Sequence, residues 1–366
     1  MTAPTPSSAP SFAQSVWLVT EREIGSKLRS KAFLISTGIL FAIALVAVVW
    51  GGFAAQSDSR IPVAVTADTA GAVSSIEDAL EITEASDADA ARDLVRSGEV
   101  DAALVPGGEP FGYTVVADDA PPSTLMQLLS VTPPVELLTT DGVDWALRYF
   151  VSLGFGLIFF MAALTFGSTI AQSVVEEKQT RVVELLISAI PTRALLAGKV
   201  VGNTILAMGQ IIGLAAIAIV GLTVTDQSAL LTGLGAPLVW FAVFFLFGFI
   251  LLAALFAAAA AMVSRQEDIG STTTPLTFLV MAPYFLVIFF NDNPVVLTIM
   301  SYVPFSAPVG MPVRVFLGEA QWWEPLLSLV ILLATCVAAI AIGARIYENS
   351  LLRMGARVKL AEALKA

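Results

Sequence analysis

Seven long stretches of this sequence contain no Asp, Glu, Lys or Arg, and they constrain the fold more than any other feature. A helix that crosses a bilayer needs roughly 20 mostly apolar residues. The stretches are Ala32–Phe53, Tyr149–Val175, Val200–Thr225, Gln227–Ser264, Ile269–Asn291, Asn293–Val313 and Pro325–Ala344. Only 13% of the residues are charged and 57% are hydrophobic, against about 25% and about 45–50% in soluble domains. The sequence therefore predicts a polytopic membrane protein.

The stretch Asn293–Val313 differs from the other six because it contains four prolines. They are Pro294, Pro304, Pro308 and Pro312. A proline inside a helix removes a backbone hydrogen bond and costs about 3 kcal/mol. Irregular backbone at membrane depth is tolerated only where protein buries it or where it lines a cavity. We predict a re-entrant or interfacial pair of short helices in an outer segment, 293–318, marked by Pro304, Pro308, Pro312 and Arg314; a kinked seventh span is the alternative.

Basic residues decide the orientation, since cytoplasmic flanks are rich in Lys and Arg. With six spans, 14 of the 19 Lys and Arg residues fall on one side, whereas a seventh span would send the basic tail outside. We predict a mainly α, multi-pass protein with six transmembrane helices and both termini in the cytoplasm. Its segments are a cytoplasmic N-terminal segment 1–30, a first span 31–53, five further spans within 146–346 and a cytoplasmic tail 347–366.

Residues 54–145, between the first two predicted spans, hold 17 acidic and 3 basic residues. Their mixed pattern predicts a small extracytoplasmic α/β domain. The predicted strands are Ile61–Thr66, Asp101–Val105 and Phe111–Val116, and the predicted helices are Ala70–Leu80, Ala88–Ser97 and Ser123–Ser130. The acidity fits a solvated surface, and the alternative is an electrostatic funnel that concentrates cations.

The residue counts exclude several function classes. The chain has no histidine and one cysteine, Cys336, so we predict no catalytic residue, no metal site and no disulfide. There is no phosphate-binding loop, because Gly198-Lys199 is followed by Val200 and Arg193 stands where the first glycine would be. The chain is predicted to bind no cofactor. Nucleic acid is not expected as a partner, since that would need a basic face.

Two glycines in the third predicted span form a Gly-x-x-x-Gly pair. Gly209 and Gly213 lie on one helix face and would let another helix approach closely. The motif is short, so packing within the chain and contact with a second copy both remain open.

The stretch between the second and third spans, 176–198, is the most informative. Taken alone, it could be a membrane-exit helix with surface ion pairs such as Glu177–Arg181. Its residue order, however, resembles the cytoplasmic motif of type 2 ABC exporter permeases, and specifically their sodium-extrusion (NatB-like) branch. The matching residues are Glu176, Glu177, Lys178, Glu184, Leu186, Ile187, Ser188, Gly198 and Lys199. The proline of the family motif lies two places later here, at Pro191.

Two other regions also look like that branch. Residues 20–37 are similar to its N-terminal segment, and residues 301–314 are similar to its outer loop before the last span. The resemblance implies that Phe12–Ser30 is an amphipathic helix at the membrane interface, with Phe12, Val16 and Val19 on its apolar face. That stripe fades after Thr20, since Glu23 and Lys27 fall on the same face.

The resemblance implies a permease subunit of the plasma membrane that works with a cytoplasmic ABC ATPase, which would bind the ATP and Mg. A second permease copy, identical or related, and membrane lipid are the other implied partners. Sodium or another cation, or a hydrophobic drug or lipid, would be the substrate. The alternative is a membrane-anchored sensor or scaffold whose outer domain binds a ligand or partner. The residues implied in coupling to the ATPase are Glu176, Glu177, Lys178, Arg181, Glu184, Ser188, Pro191, Arg193, Arg265, Glu267 and Asp268.

Overall fold

The computed structural model describes residues 10–56, 60–74, 76–109, 111–118, 122–130, 145–351, 353 and 358–365. Residues 131–144 of the predicted outer domain and Arg357 of the basic tail lie outside this part of the chain. The chain divides into two compact units, of which one comprises Met1–Gly52 with Asp141–Ala366 and the other comprises Phe53–Thr140.

Helices make up most of the described chain. In chain order they are α1 (Phe12–Leu28), α2 (Lys31–Gln56), α3 (Ala70–Val73), α4 (Ala88–Ser97), α5 (Ser123–Leu129), α6 (Trp145–Gln179), α7 (Val182–Ala189), α8 (Thr192–Val224), α9 (Ser228–Ala261), α10 (Ile269–Phe290), α11 (Pro294–Tyr302), α12 (Ala307–Phe316), α13 (Glu324–Leu351) and α14 (Leu360–Lys365). Short 3-10 helices cover Glu77–Ala79 and Gln266–Asp268.

Six helices of the described chain are long and apolar enough to cross a membrane. They are α2, α6, α8, α9, α10 and α13, one for each predicted span. Inside this bundle, aromatic side chains of α6 and α9 interlock edge to face, as aromatic rings prefer. Phe166 meets Phe249 with ring centroids 5.8 Å apart, and Phe159 meets Phe245 at 6.0 Å. The prediction of six long apolar helices is confirmed.

The proline-rich stretch forms two short helices, as predicted. α11 has 9 residues and α12 has 10, so each is too short to cross a bilayer. Asn293 starts α11 by accepting hydrogen bonds from the backbone N–H groups of Val295 and Val296. The helix α12 is buried from Ala307 to Arg314, which satisfies the condition for irregular backbone at membrane depth. Its position relative to the bilayer stays a prediction.

The second unit contains a sheet of four strands within its described residues: β1 (Ile61–Thr66), β2 (Leu80–Ala85), β3 (Ala102–Pro106) and β4 (Tyr113–Val116). The strand order is β2-β1-β3-β4, with β1 parallel to β2 and β3, and β4 antiparallel to β3. Side chains alternate between the two faces. Val63, Val65 and Leu104 pack with Leu125 on one face, whereas Ala64 and Ala103 pack with α4 on the other.

The segment Ala70–Leu80, predicted as one helix, is different in the structure. The helix α3 stops at Val73, a 3-10 turn follows, and Leu80 begins β2. The parallel pairing of β2 with β1, in register from Ile61 to Thr66, outweighs the helical spacing of this segment. The other predicted elements are present, and α4 ends at Gly98 in the left-handed conformation with φ 73°, which glycine adopts without strain.

Candidate functional site

The connection between α6 and α8 holds most of the residues predicted to couple to an ATPase. Arg181 interrupts the helix after α6 with a left-handed φ of 57°. The short helix α7 follows, and Ile190 then adopts an extended conformation, as expected for a residue before proline. Pro191 is the N-cap residue of α8, where its lack of a backbone N–H removes no hydrogen bond from the helix. Two backbone breaks therefore separate α7 from its neighbours.

The helix α7 buries one side and exposes the other. Val183 is fully buried, whereas the side chain of Leu185 is 73% exposed and Glu184 and Ser188 are also exposed. The Ser188 hydroxyl donates to the backbone carbonyl of Leu185 at 2.7 Å. The outward side of α7 thus carries two exposed apolar side chains, Val182 and Leu185, beside the Glu184 carboxylate.

Lys178 lies inside the bundle and is only 1% exposed. Its ammonium donates to the carbonyl of Ala261 at 2.8 Å and to that of Ser350 at 2.9 Å. These carbonyls belong to the last turns of α9 and α13, where backbone acceptors lack partners within their own helix. A positive charge is favourable at a helix C-terminus. Lys178 therefore joins the ends of three helices, and in this structure its side chain does not face outward.

Glu177 takes part in a buried ionic cluster, defined here as Arg22, Glu23, Ser173, Glu177 and Lys199. The Lys199 ammonium is 0% exposed and lies 2.9 Å from Glu23 Oε1 and 3.0 Å from Glu177 Oε1. It also donates to the Ser173 hydroxyl at 2.6 Å. Arg22 pairs with both carboxylates. Two cations and two anions thus balance where α1, α6 and α8 meet, and Glu177 pairs with these residues rather than with Arg181.

Two glycines of α8 let α1 come close enough to form this cluster. A Cβ atom at Gly198 would collide with the side chain of Val19 and lie 2.9 Å from the Val16 carbonyl oxygen. A Cβ at Gly202 would lie 2.9 Å from that of Glu23. The spacing is Gly-x-x-x-Gly, the pattern that permits close helix contact.

The buried face of α1 therefore differs from the predicted apolar stripe. Ser15, Val19, Thr20 and Glu23 are its buried residues, whereas the side chain of Phe12 is 55% exposed. Helix α1 exists as predicted, but sequence analysis missed the inward role of Glu23 and its partner Arg22. The glycine spacing beside Lys199 was the available signal.

Electrostatics explain how Glu23 stays charged despite its burial. Burial alone would raise the pKa of Glu23, but the charge of Lys199 and hydrogen bonds from Lys199 and Arg22 outweigh it and hold that pKa below its usual value. For Arg22, burial alone would lower the pKa, but Glu177 and Glu23 raise it above its usual value. Glu23 and Arg22 therefore both remain ionised near neutral pH.

Gly209 and Gly213, the glycine pair predicted from the sequence, have different surroundings in the structure. A Cβ at Gly213 would lie 2.5 Å from the ring of Phe41 on α2, so this glycine allows packing within the chain. Gly209 has no atom within 4 Å of such a Cβ. The predicted pair therefore does not act as a single packing face within the bundle.

The remaining predicted coupling residues lie at the surface. Arg193 is paired with Glu348 of α13, with 2.6 Å between Nε and Oε1, rather than with Glu184. Arg265 forms an exposed ion pair with Glu267 at 3.3 Å, in the turn that leads through Asp268 into α10. Glu176 is exposed at the end of α6 and its carbonyl accepts from the Thr180 hydroxyl at 2.8 Å.

Around the proline-rich helices, Arg314 is buried. Its guanidinium lies 2.5 Å from Glu324 at the start of α13 and donates to the Glu319 carbonyl at 3.1 Å. Pro304 lies in the turn between α11 and α12, and Pro308 and Pro312 lie within α12. A Cβ at Gly248 of α9 would collide with Pro308, so α12 packs directly against the bundle.

The sequence is similar to that of two uncharacterized proteins from other organisms. One relative is the uncharacterized protein YhaP of Bacillus subtilis (strain 168), with 30% identity over 210 residues, which cover 54% of this chain and 50% of the relative. Another is the uncharacterized protein MJ1024 of Methanocaldococcus jannaschii, with 23% identity over 221 residues, 60% of this chain and 54% of the relative. The matches thus span about half the length of these relatives.

The model of one protein family covers most of the chain. That family, described as ABC-2 family transporter protein, matches residues 31–345. This region includes five of the six long helices in full and α13 as far as Arg345, together with the sheet, α7, and the cluster residues Ser173, Glu177 and Lys199. Members of this family are transport components of the membrane, and a partner carries out ATP hydrolysis. The chain therefore belongs to the ABC-2 family of transporter permeases.

Proposed function

We propose that the chain is the membrane-spanning permease subunit of an ATP-binding-cassette exporter and that α7 docks on a separate cytoplasmic ATPase. The observation that carries this proposal is the form of α7 in an ABC-2 family chain. It is eight residues long, bounded by breaks at Arg181 and Ile190, and it exposes Leu185. A partner that covers Leu185 would bury an apolar side chain, the usual source of affinity at such a site.

The position of α7 supports a route for coupling. It connects α6, which carries Glu177 and Lys178, directly to α8, which carries Lys199. A displacement of α7 by the ATPase would therefore act on both sides of the ionic cluster at once. Because α1 is attached to the bundle through the same cluster, its position would respond as well. Nucleotide-dependent closure of the ATPase would then shift the bundle between two states.

The finer assignments are also part of the proposal. We place both termini in the cytoplasm and the sheet-containing unit outside, since that arrangement puts the basic flanks inside. We assign the chain to the NatB-like branch and expect a second permease copy, identical or related. The cargo would be sodium or another cation, or a hydrophobic drug or lipid, and the excess of acidic residues in the outer unit favours a cation.

The test is affinity purification of the full chain from its native membrane, followed by mass spectrometry and an ATPase assay. We expect a stoichiometric partner with a phosphate-binding loop. Leu185→Asp and Glu184→Ala should lower its recovery and the coupled ATPase activity without lowering the melting temperature. Glu362→Ala on α14 is the matched control, because that carboxylate is also exposed but lies away from α7 in sequence.

Two results would contradict the proposal at different levels. Full recovery of the ATPase with Leu185→Asp would show that α7 is not the docking helix. Absence of any such ATPase from clean preparations in several detergents would exclude the permease function itself and direct attention to ligands of the sheet-containing unit.

A further inference from the structure

An apolar groove of about 1040 Å³ lies between α8, α9 and α13. Its walls are aliphatic along most of their length, with Val200 and Ile205 from α8, Ile250 and Ala254 from α9, and Ile340 from α13. The hydroxyl of Thr204, also in the wall, donates to the carbonyl of Val200 at 2.7 Å. Because that hydroxyl already has a hydrogen-bond partner, a hydrocarbon chain in the groove would leave no buried polar group of this wall without one.

One end of the groove is charged. Arg193 and Glu348 form a two-point ion pair there, at 2.6 Å and 3.2 Å, so their charges cancel. Arg345 lines the same end and is exposed. In the part of the chain that the structure describes, no carboxylate lies within 4.0 Å of its guanidinium. The mouth of the groove therefore carries one net positive charge.

The groove begins outside the predicted third span and extends into it. Along α8 the lining runs from Arg193 to Ile205, a rise of about 18 Å at 1.5 Å per residue. The uncharged stretch of α8 begins at Val200, so about 8 Å of this rise, from Val200 to Ile205, lies within the predicted span. Arg193 and Arg345 both lie at the basic end of the groove, where lipid headgroups of the nearer leaflet would lie.

We propose that this groove binds an anionic phospholipid of the membrane. The lipid phosphate would sit at Arg345, next to Arg193, and one acyl chain would extend along the aliphatic walls toward Ile205 and Ile340. Charge complementarity at the mouth favours this occupant over a neutral helix of a second copy, which would leave the Arg345 guanidinium without an anion. The proposal depends neither on the ATPase nor on the identity of the cargo.

The test is native mass spectrometry of the full chain in detergent, titrated with phosphatidylglycerol or with phosphatidylcholine of the same acyl chains. One basic residue near a membrane surface gives a preference for anionic lipid of about fivefold, and we expect that preference from the unmodified chain. Arg345→Gln should reduce it to less than about twofold, and Arg345→Lys should restore most of it. Arg353→Gln is the control, because Arg353 is exposed near the same end of α13 but does not line the groove.

A second pair of variants tests the acyl-chain portion. Ala341→Trp would fill the groove, and we expect it to weaken phosphatidylglycerol binding at least about tenfold, equivalent to 1.4 kcal/mol. Ile342→Trp should bind normally, since Ile342 is exposed but lies outside the lining. Melting temperatures show whether each variant is folded.

Three outcomes would overturn the proposal. One is equal binding of both lipids by the unmodified chain. Another is the same effect from Arg345→Gln and Arg353→Gln. The third is dissociation of a dimer by Ala341→Trp with no change in bound lipid, which would assign the groove to a second copy of the chain.

Discussion

The Lys199 ammonium and the Glu23 carboxylate lie 2.9 Å apart although 176 residues separate them in the sequence. Both are buried, at 0% and 5% exposure. A buried ion pair adds little net stability compared with well-packed apolar residues, but the loss of one partner leaves an uncompensated charge. The pair therefore acts mainly to fix where α1 attaches to α8.

Replacing Lys199 with methionine should destabilise the protein strongly. Lys199→Met keeps the length of the side chain but leaves Glu23 and Glu177 with only the partly exposed Arg22, so we expect a loss of about 3–5 kcal/mol in unfolding free energy. Thermal unfolding in detergent measures it. The double variant Glu23→Gln/Lys199→Met should lose less than the sum of the single variants. A loss from exposed Arg29→Gln as large as that from Lys199→Met would refute this explanation.

Alanine substitutions in α8 should have different effects at a glycine that contacts α1 and at a glycine that faces open space. Gly202→Ala would place a Cβ atom 2.9 Å from that of Glu23, and overpacking of this kind costs about 1–3 kcal/mol. Gly209→Ala enters open space and should leave stability unchanged or raise it by up to about 1 kcal/mol through helix propensity. Melting temperatures and protease cleavage within α1 report both effects. Equal behaviour of the two variants would contradict the close approach of α1.

The attachment of α1 should weaken in acid. The pKa of Glu23 is lower in the folded chain than its usual value, which is about 4.3 when unfolded. The ionised Glu23 carboxylate therefore contributes fully to the free energy of unfolding above about pH 4.3. This contribution is lost as the pH falls through the lower pKa of the folded chain. The difference in melting temperature between the unmodified chain and Glu23→Gln should be constant at neutral pH and shrink in acid. If this difference in melting temperature grew as the pH fell, the pKa of Glu23 would be raised rather than lowered in the folded chain, and the explanation would be wrong.

Removal of the Lys178 ammonium should loosen the ends of α9 and α13. Lys178→Met leaves the carbonyls of Ala261 and Ser350 without this donor, and we expect a loss of about 2 kcal/mol, the order of one or two charge-assisted hydrogen bonds. Hydrogen exchange should increase at the last turns of both helices. Arg265→Met is the control, since its ion pair is exposed. Unchanged exchange in Lys178→Met would show that the ammonium does not hold these ends.

Much of the fold could be predicted because membrane spans have a strong signal in the sequence. Uncharged runs and proline spacing predicted six long helices and the short pair α11 and α12. In the second unit, strand β2 was missed because Leu80–Ala85 alternates weakly and follows a helical pattern. Its pairing with β1 is non-local, and tertiary pairing of this kind overrides local preference.

The site could be predicted only in part, for a related reason. The sequence identified the stretch 176–198, but it did not show which of its charges face inward. Lys178 and Glu177 looked like surface residues because the partners that bury them, in α1, α9 and α13, are distant along the chain. Gly198 lies just before Lys199 and Gly202 lies near the start of the uncharged run, so their spacing is a weaker sign of helix packing than that of Gly209 and Gly213 within the span.

The joint that Lys178 makes between α6, α9 and α13 gives the bundle the mechanics of a lever. The helix α9 has 34 residues and is about 51 Å long. If its end at Ala261 is the fulcrum, a tilt of about 10° displaces the opposite end by about 9 Å, from the same helical rise. A tilt that barely moves Ala261 would thus displace the far end of α9 by most of a helix diameter.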